Sequence, residues 1–378
     1  MILKRILLYT VLLAIVPFLM LEAAFRLLPV SSPPYLLPVT EQDPVARYQQ
    51  NVEYQYSWGP DFAVRARKRS NNFGFTHAAD YRPEERTPLL VVIGDSFIEA
   101  QAVDVGRTAP ELLHAGLRGS GRVYSIGVSG APLSQYLVYA QYARRTFRPD
   151  AMAFAIISND FDESLLKYKS EPRFHYFSDD GVLRRVDYEL SKTKQVLRHS
   201  ALLRYVMYNL AAEHRLQALF NPTAPAAWVS RDREPPVALD RRVRDSERAV
   251  DYFFDRLPAM SGLDSRAIVF VLDAVRPAIY EEDSLKNSET TYHARMRRYF
   301  AAAAQARGYA VLDLQPVFIA RNRQDGSRFE FPTDSHWNEL GHRLVAEELR
   351  GSAVFRQLFP RGAPEGLGPQ ADARAGKH

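Results

Sequence analysis

Five short apolar runs punctuate the chain from residue 89 onward: Leu89 to Ile93, Val123 to Ile126, Ala151 to Ile157, Ala267 to Leu272 and Ala310 to Leu314. Each is continuous rather than alternating, which is how strands buried on both faces read, and together they predict a five-stranded, mainly parallel sheet. Around them, helical patterns cover Ala109 to Leu117, Ser134 to Thr146, about Ser288 to Arg307 ending at Gly308, and Asn338 to Leu349. Strand and helix in alternation imply an α/β fold of three layers, with helices on both sides of the sheet.

One interval, about 162–249, breaks that alternation. It holds no core-type strand; Lys192 to Phe220 has a helical pattern, and Asn221 to Pro225 through Glu234 to Pro236 reads as loop. An insertion after the third strand lies near the carboxyl ends of the sheet, where open α/β folds bind ligands. Lid, partner surface and passive excursion all fit it. Its aromatics Tyr168, Phe174, Tyr176 and Phe177 fit either a sugar or acyl site or ordinary packing. Residues 30–87, rich in Pro, Tyr and charge, read as a stalk and extended lead-in to a domain over 88–356. The Pro-, Gly- and Ala-containing stretch 357–378 reads as a disordered tail.

The first 29 residues predict a membrane anchor. Lys4 and Arg5 precede Ile6 to Leu21, an uncharged run of 16 residues that rises about 24 Å as a helix, and about 30 Å if continued to Phe25. A small-residue cleavage site is poor there, because Glu22 or Leu21 falls three residues before the cut. The expectation is an uncleaved single pass in an inner membrane, N-terminus cytoplasmic, with the domain periplasmic or otherwise extracytoplasmic.

Composition narrows the classes. Of 378 residues 46% are hydrophobic, enough for one substantial core. The 49 Lys and Arg exceed the 44 Asp and Glu by 5, in scattered groups such as Arg65 to Arg69 without the aromatic interleaving of a nucleic-acid surface, so no nucleic-acid partner is expected. With no Cys, disulfides, thiolate catalysis and thiolate metal sites are excluded.

Four segments carry residues suited to chemistry. In "VVIGDSFIEA", residues 91–100, Ser96 follows the first strand; with Glu99 it has the spacing of a capping box, and it is also placed as a nucleophile. In "PTDSHWNELGHRLVAEEL", residues 332–349, Asp334 and His336 stand two apart, so in extended backbone both side chains point to one side and the carboxylate can orient the imidazole. In "SIGVSGAP", residues 125–132, Gly127 offers a backbone N–H after the second strand, and in "IISNDFDE", residues 156–163, Asn159 offers an amide after the third. Helix caps, Gly-rich turns and Asx turns explain each segment separately. In a parallel sheet, however, all four gather at one end. Ser129, in Gly127-Val128-Ser129-Gly130-Ala131, approximates a second nucleophile elbow. A metal site from Asp334, His336 and His342 lacks the paired-His spacing of zinc motifs.

These four segments, in this order, resemble the SGNH (GDSL-type) hydrolase superfamily, and "NNFGF" at 71–75 and "HWNELGH" at 336–342 resemble its membrane-anchored bacterial members. The resemblance spans roughly residues 70–350 and implies a flavodoxin-like sheet. It also implies that Ser96 is the nucleophile and that His336 and Asp334 complete a triad. The Ser96 amide, Gly127 and Asn159 would form the oxyanion hole, with no cofactor or metal. Two departures stand out: Ile157 replaces the Gly of the family's GxND, and its D-x-x-H is shortened to Asp334-Ser335-His336, a spacing similar to that of alginate O-acetyltransferase-like members. The implied activity is hydrolysis of an acyl ester, with cell-envelope or exported polysaccharide as a candidate carrier. O-acyl transfer to polysaccharide is the alternative, and an inactive envelope-assembly platform the second.

Overall fold

The computed structural model describes residue 2 and residues 9–210, 236–283, 290–332 and 334–360. Its centre is the expected sheet: β1 (Leu89–Gly94), β2 (Arg122–Gly127), β3 (Ala151–Ile156), β4 (Ile268–Leu272) and β5 (Ala310–Asp313), all parallel, in the order β2-β1-β3-β4-β5. Every residue of the first four strands is buried, as their unbroken apolar runs require.

Alternate residues of these strands feed two cores. On one face Val91, Ile93, Phe154 and Phe270 meet the helices α3 (Leu133–Thr146), α4 (Pro236–Ser261) and α5 (Tyr292–Ala306). On the other, Leu90, Val92, Ala153 and Val271 meet α2 (Ala109–Gly116), α6 (Leu314–Asp325) and α7 (Glu339–Gly351). A four-residue helix, α1 (Ser96–Glu99), leaves the carboxyl end of β1. These are the three layers expected, and the strand order is the flavodoxin-like one.

Two segments depart from expectation, and a third resolves an open alternative. Helix α4 runs straight through the expected insertion boundary at 249; its buried Val243, Val250, Phe253, Phe254 and Leu257 recur at helical spacing against α3 and the sheet, so it belongs to the core layer. The lead-in 30–87 is no stalk: Val39, Val45, Ala46, Tyr48, Phe75 and Tyr81 are buried in the first core, and the Tyr81 ring stacks on Tyr124 at 3.9 Å. Within it, Val52–Trp58 and Val64–Ser70 form an antiparallel hairpin. In the insertion, Phe174, Tyr176 and Phe177 are fully buried packing residues, and the Tyr168 hydroxyl donates to Asp245.

At the N-terminus, Val16–Arg26 is helical and Leu12, Leu13, Leu19, Met20 and Leu27 are exposed. Among the described residues no helix is long and apolar enough to cross a membrane; the expected span begins in residues 1 and 3–8, outside them. The lower end of this helix is docked: Glu22 accepts from Ser200 Oγ at 2.7 Å, Ala201 N at 3.0 Å and Leu202 N at 3.1 Å, and Phe25 packs on Tyr205 at 4.4 Å. The insertion's helical segment Ala201–Arg204 therefore meets the N-terminal helix. The expected disordered tail 357–378 is ordered at its start, where Gln357 and Leu358 close the helix Ala353–Leu358 and Phe359 is buried against Phe355. Residues 211–235 and 361–378 lie outside the described residues.

Candidate active site

At the carboxyl end of β1 the chain must turn from strand to helix within two residues. Gly94 permits it, because a Cβ there would lie 2.4 Å from Ile98 Cγ1. The cap of α1 is Asp95, not Ser96: its Oδ1 accepts from the Phe97 amide at 2.9 Å. Ser96 is thus the first helical residue, and the capping-box reading gives way to a hydroxyl held at the mouth of the sheet.

That hydroxyl meets the second segment. Ser96 Oγ lies 2.7 Å from His336 Nε2, and His336 Nδ1 lies 2.5 Å from Asp334 Oδ1. With the Nδ1 proton directed at the carboxylate, Nε2 is left to accept from Ser96. Asp334 and His336 occupy the short strand Asp334–Trp337, whose extended backbone puts both side chains on one side, and Asp334 Oδ1 also accepts the His336 amide at 3.1 Å. The Phe97 ring packs against the imidazole at 4.6 Å. Burial by itself lowers the basicity of His336, but the hydrogen bond and charge of Asp334 outweigh it, and its pKa is raised. Burial likewise opposes ionisation of Asp334, yet the imidazole holds its carboxyl below the usual range. Asp95, fully buried beneath Ser96, is pushed up by burial to about 6.

Gly127 ends β2 directly beside Gly94 in the ladder. A Cβ at 127 would approach Asp95 O to 3.0 Å and Glu99 N to 3.1 Å, so only glycine lets β2 pass this close to α1. Asn159 sits in the tight turn Ser158–Asp160 after β3. Asp160 braces that turn, accepting from the Ile157 amide at 2.7 Å and the Tyr136 hydroxyl at 3.0 Å. At Ile157 the backbone is extended (φ −116°), a conformation any residue adopts, and its side chain is buried in the second core. The missing family glycine therefore costs the turn no conformational freedom that it needs.

The competing serine is engaged elsewhere. Ser129 Oγ donates to Glu99 Oε2 at 2.7 Å and its amide donates to the same oxygen at 2.6 Å. His342 is buried, with Nδ1 accepting from the Ala109 amide at 3.3 Å and burial pulling its pKa down to about 3. Among the described residues no group of three His, Asp or Glu side chains is arranged to hold a metal ion.

Sequence reasoning missed the residues that support the triad. Trp337 Nε1 donates to Asp273 at 2.8 Å, Arg276 donates to Asp273 at 2.9 Å and to the Ser335 carbonyl at 3.1 Å, and Glu99 links α1 to Tyr48 of the lead-in at 2.9 Å. Asp273, following β4, had a positional signal at the same carboxyl end of the sheet. Glu99 had only its capping-box spacing from Ser96, which did not point to this role, and Arg276 had no signal.

Residues 240–366 match a family model described as "SGNH hydrolase-like domain, acetyltransferase AlgX". That stretch contains Asp334 and His336 and begins after Ser96, Gly127 and Asn159. Among solved structures, LAE5, an alpha/beta hydrolase enzyme from the metagenome of Lake Arreo, is similar at 16% identity and TM-score 0.40, covering 71% of this chain and 96% of its own. The lipase/acylhydrolase from Enterococcus faecalis is similar at 12% identity and TM-score 0.37, over 73% and 97%. The acetyl xylan esterase AlAXEase is similar at 11% identity and TM-score 0.38, over 70% and 99%. No curated protein matches the chain. Over residues 240–366 the chain thus resembles an SGNH hydrolase-like domain of the acetyltransferase type, and both ester hydrolysis and O-acyl transfer fit that match.

Proposed function

We propose that this chain is a serine enzyme that takes an acyl group from an ester onto Ser96. The carrying observation is the continuous chain from Ser96 Oγ through His336 to Asp334, at 2.7 and 2.5 Å. In the proposed reaction His336 Nε2 accepts the Ser96 proton as Oγ attacks the acyl carbonyl carbon. The carbonyl oxygen, now an oxyanion, receives N–H groups of Ser96, Gly127 and the Asn159 side chain. Collapse breaks the ester bond, and the departing alcohol leaves with the proton from His336. Water or a second alcohol, deprotonated in turn by His336, then takes the acyl group from Ser96.

Transfer to a sugar hydroxyl of a cell-envelope or exported polysaccharide is the second reading. Two observations favour it: the D-x-H spacing of Asp334 and His336, and the match of 240–366 to a domain described as an acetyltransferase. The exposed apolar side chains of Leu12, Leu13, Leu19 and Met20 support our placing of the N-terminal segment in an inner membrane, with the catalytic domain outside the cytoplasm.

The test is acetyl release from p-nitrophenyl acetate by the full chain in detergent, alongside Ser96→Ala and His336→Ala, with and without an oligosaccharide acceptor. Removing a triad member is expected to cost on the order of 10⁴-fold. Acetylated oligosaccharide would make the chain a transferase, and free acetate alone a hydrolase. Equal rates in all three proteins, with no fluorophosphonate labelling of Ser96, would leave the fold as an inactive platform.

A further inference from the structure

Behind Asn159 stands an ion pair between Glu163, the last residue of the segment 156–163, and Lys169, which lies outside all four sequence segments. Glu163 Oε2 accepts from Asn159 Nδ2 at 3.3 Å and from Lys169 Nζ at 2.6 Å, while Lys169 also donates to the Gly130 carbonyl at 2.8 Å. Both side chains are largely covered, at 12% and 18% exposure. Lys169 also has Glu171 at 3.7 Å.

From this arrangement we infer that Glu163 and Lys169 are positioning residues that turn the Asn159 amide into a donor for the reacting oxygen. The inference rests on the reading of Ser96 as nucleophile. Its first part is a matter of atom types. A carboxylate only accepts, so Glu163 selects the Asn159 orientation in which nitrogen, not oxygen, faces it. One N–H of the carboxamide is used there, and the second remains for the oxyanion. Without Glu163 the amide is free to flip, and its carbonyl oxygen would then repel the charge it should stabilise.

The second part is electrostatic. A carboxylate this close to a developing oxyanion opposes it, and the field of Glu163 does reach the site: it helps raise both Asp95, beneath Ser96, and Asp160. Lys169 neutralises that field. The same ammonium, by holding Gly130 O, ties the loop after β2, which carries Gly127, to the turn after β3, which carries Asn159. Two of the three oxyanion donors are thus kept in register by one side chain contributed from the insertion.

The pair is read out by the rate at which Ser96 is phosphonylated, because a fluorophosphonate forms the same kind of oxyanion and needs no knowledge of the natural substrate. In the full chain, Lys169→Met is expected to lower the maximal labelling rate 10- to 100-fold, as an order of magnitude for a disturbed oxyanion donor, with the half-saturating probe concentration nearly unchanged. Glu163→Gln, which keeps an accepting oxygen, falls less. The double variant Glu163→Gln/Lys169→Met is faster than Lys169→Met alone, since no unbalanced carboxylate remains, and Lys169→Arg retains more activity than Lys169→Met. In an Asn159→Ala background the Lys169→Met change adds less than about 3-fold, because the donor it positions is gone. Thermal midpoints of all variants identify any that fail to fold. Ser96-dependent labelling that Lys169→Met leaves unchanged, or slows equally with and without Asn159, overturns this inference alone. Absence of labelling at Ser96 in the unaltered chain overturns the nucleophile reading, and this inference with it.

Discussion

The indole N–H of Trp337 donates to Asp273 Oδ1 at 2.8 Å and fastens the residue after His336 to the loop that follows β4. Arg276 closes the latch, reaching the same carboxylate and the Ser335 carbonyl. Trp337 is buried and packs edge-on against Phe97 at 5.1 Å, so the latch also touches the helix that carries Ser96. Trp337→Phe keeps the ring and deletes the donor. The loss of one hydrogen bond to a charged group is expected to cost about 1.5–3 kcal/mol of stability, measured by chemical denaturation, and to slow Ser96 labelling at a temperature where the variant is still fully folded.

Asp334 sets the pH range of activity. In the proposed mechanism His336 acts in its neutral form, and its pKa is raised above the ordinary 6.5; activity is then expected to be lost as pH falls through that raised value, with the acid limb of kcat/KM above pH 6.5. Asp334→Asn removes the charge that raises it. The expected profile has its acid limb at lower pH and a rate reduced on the order of 10³- to 10⁴-fold, because the imidazole tautomer is no longer enforced. A limb that does not move would assign it to another group.

Gly127→Ala places a methyl group 3.0–3.1 Å from backbone atoms of Asp95 and Glu99, which have no rotamer by which to yield. Strand β2 must shift away from α1. A stability loss of about 1–3 kcal/mol is expected, with Ser96 labelling slowed at least 100-fold as an order of magnitude. Wild-type labelling in a folded Gly127→Ala protein would remove Gly127 from the oxyanion site.

Ser129→Ala tests the second serine. Glu99 keeps donors from Tyr48, Gln101 and the 129 amide, so the loss is expected to stay near 1 kcal/mol. Mass spectrometry should still find the fluorophosphonate on Ser96. Label that disappears with Ser129 would transfer the nucleophile's role to it.

Glu22 anchors the insertion to the N-terminal helix through Ser200, Ala201 and Leu202. Glu22→Ala strips those donors of their acceptor, at a cost of about 0.5–2 kcal/mol, the range for a lost helix cap. Faster amide exchange confined to Ala201, Leu202 and their neighbours is expected. Unchanged exchange there would mean that the contact contributes nothing to order.

The five strands, and Ser96, Asp334 and His336 as groups that the fold brings together, were legible in the sequence because each leaves a local trace. A strand covered on both faces has no polar interruption, and a strand that must turn into a helix within two residues needs Gly94. Helix α4 left a weaker trace. Its first turns, with Asp240, Arg241, Arg244 and Asp245, hide the apolar spacing of Val243, Val250 and Leu257, and the boundary at 249 split it. The lead-in was unreadable for another reason: Tyr48 and Tyr81 look like isolated aromatics until partners at 99 and 124 are brought to them.

The chain by itself therefore determined the kind of sheet and the reactive groups at its carboxyl end, since both depend on neighbours a few residues apart. Only the tertiary structure decided what holds those groups: Asp273 and Arg276 for the His336 strand, Glu99 for the Ser129 loop, Glu163 and Lys169 for Asn159. Apart from Glu163, four residues after Asn159, these are single polar side chains on separate elements, with no period and no fixed spacing from the residues they serve. Their partners become definable only when the close-packed core removes water and leaves each buried donor or acceptor to be satisfied from within.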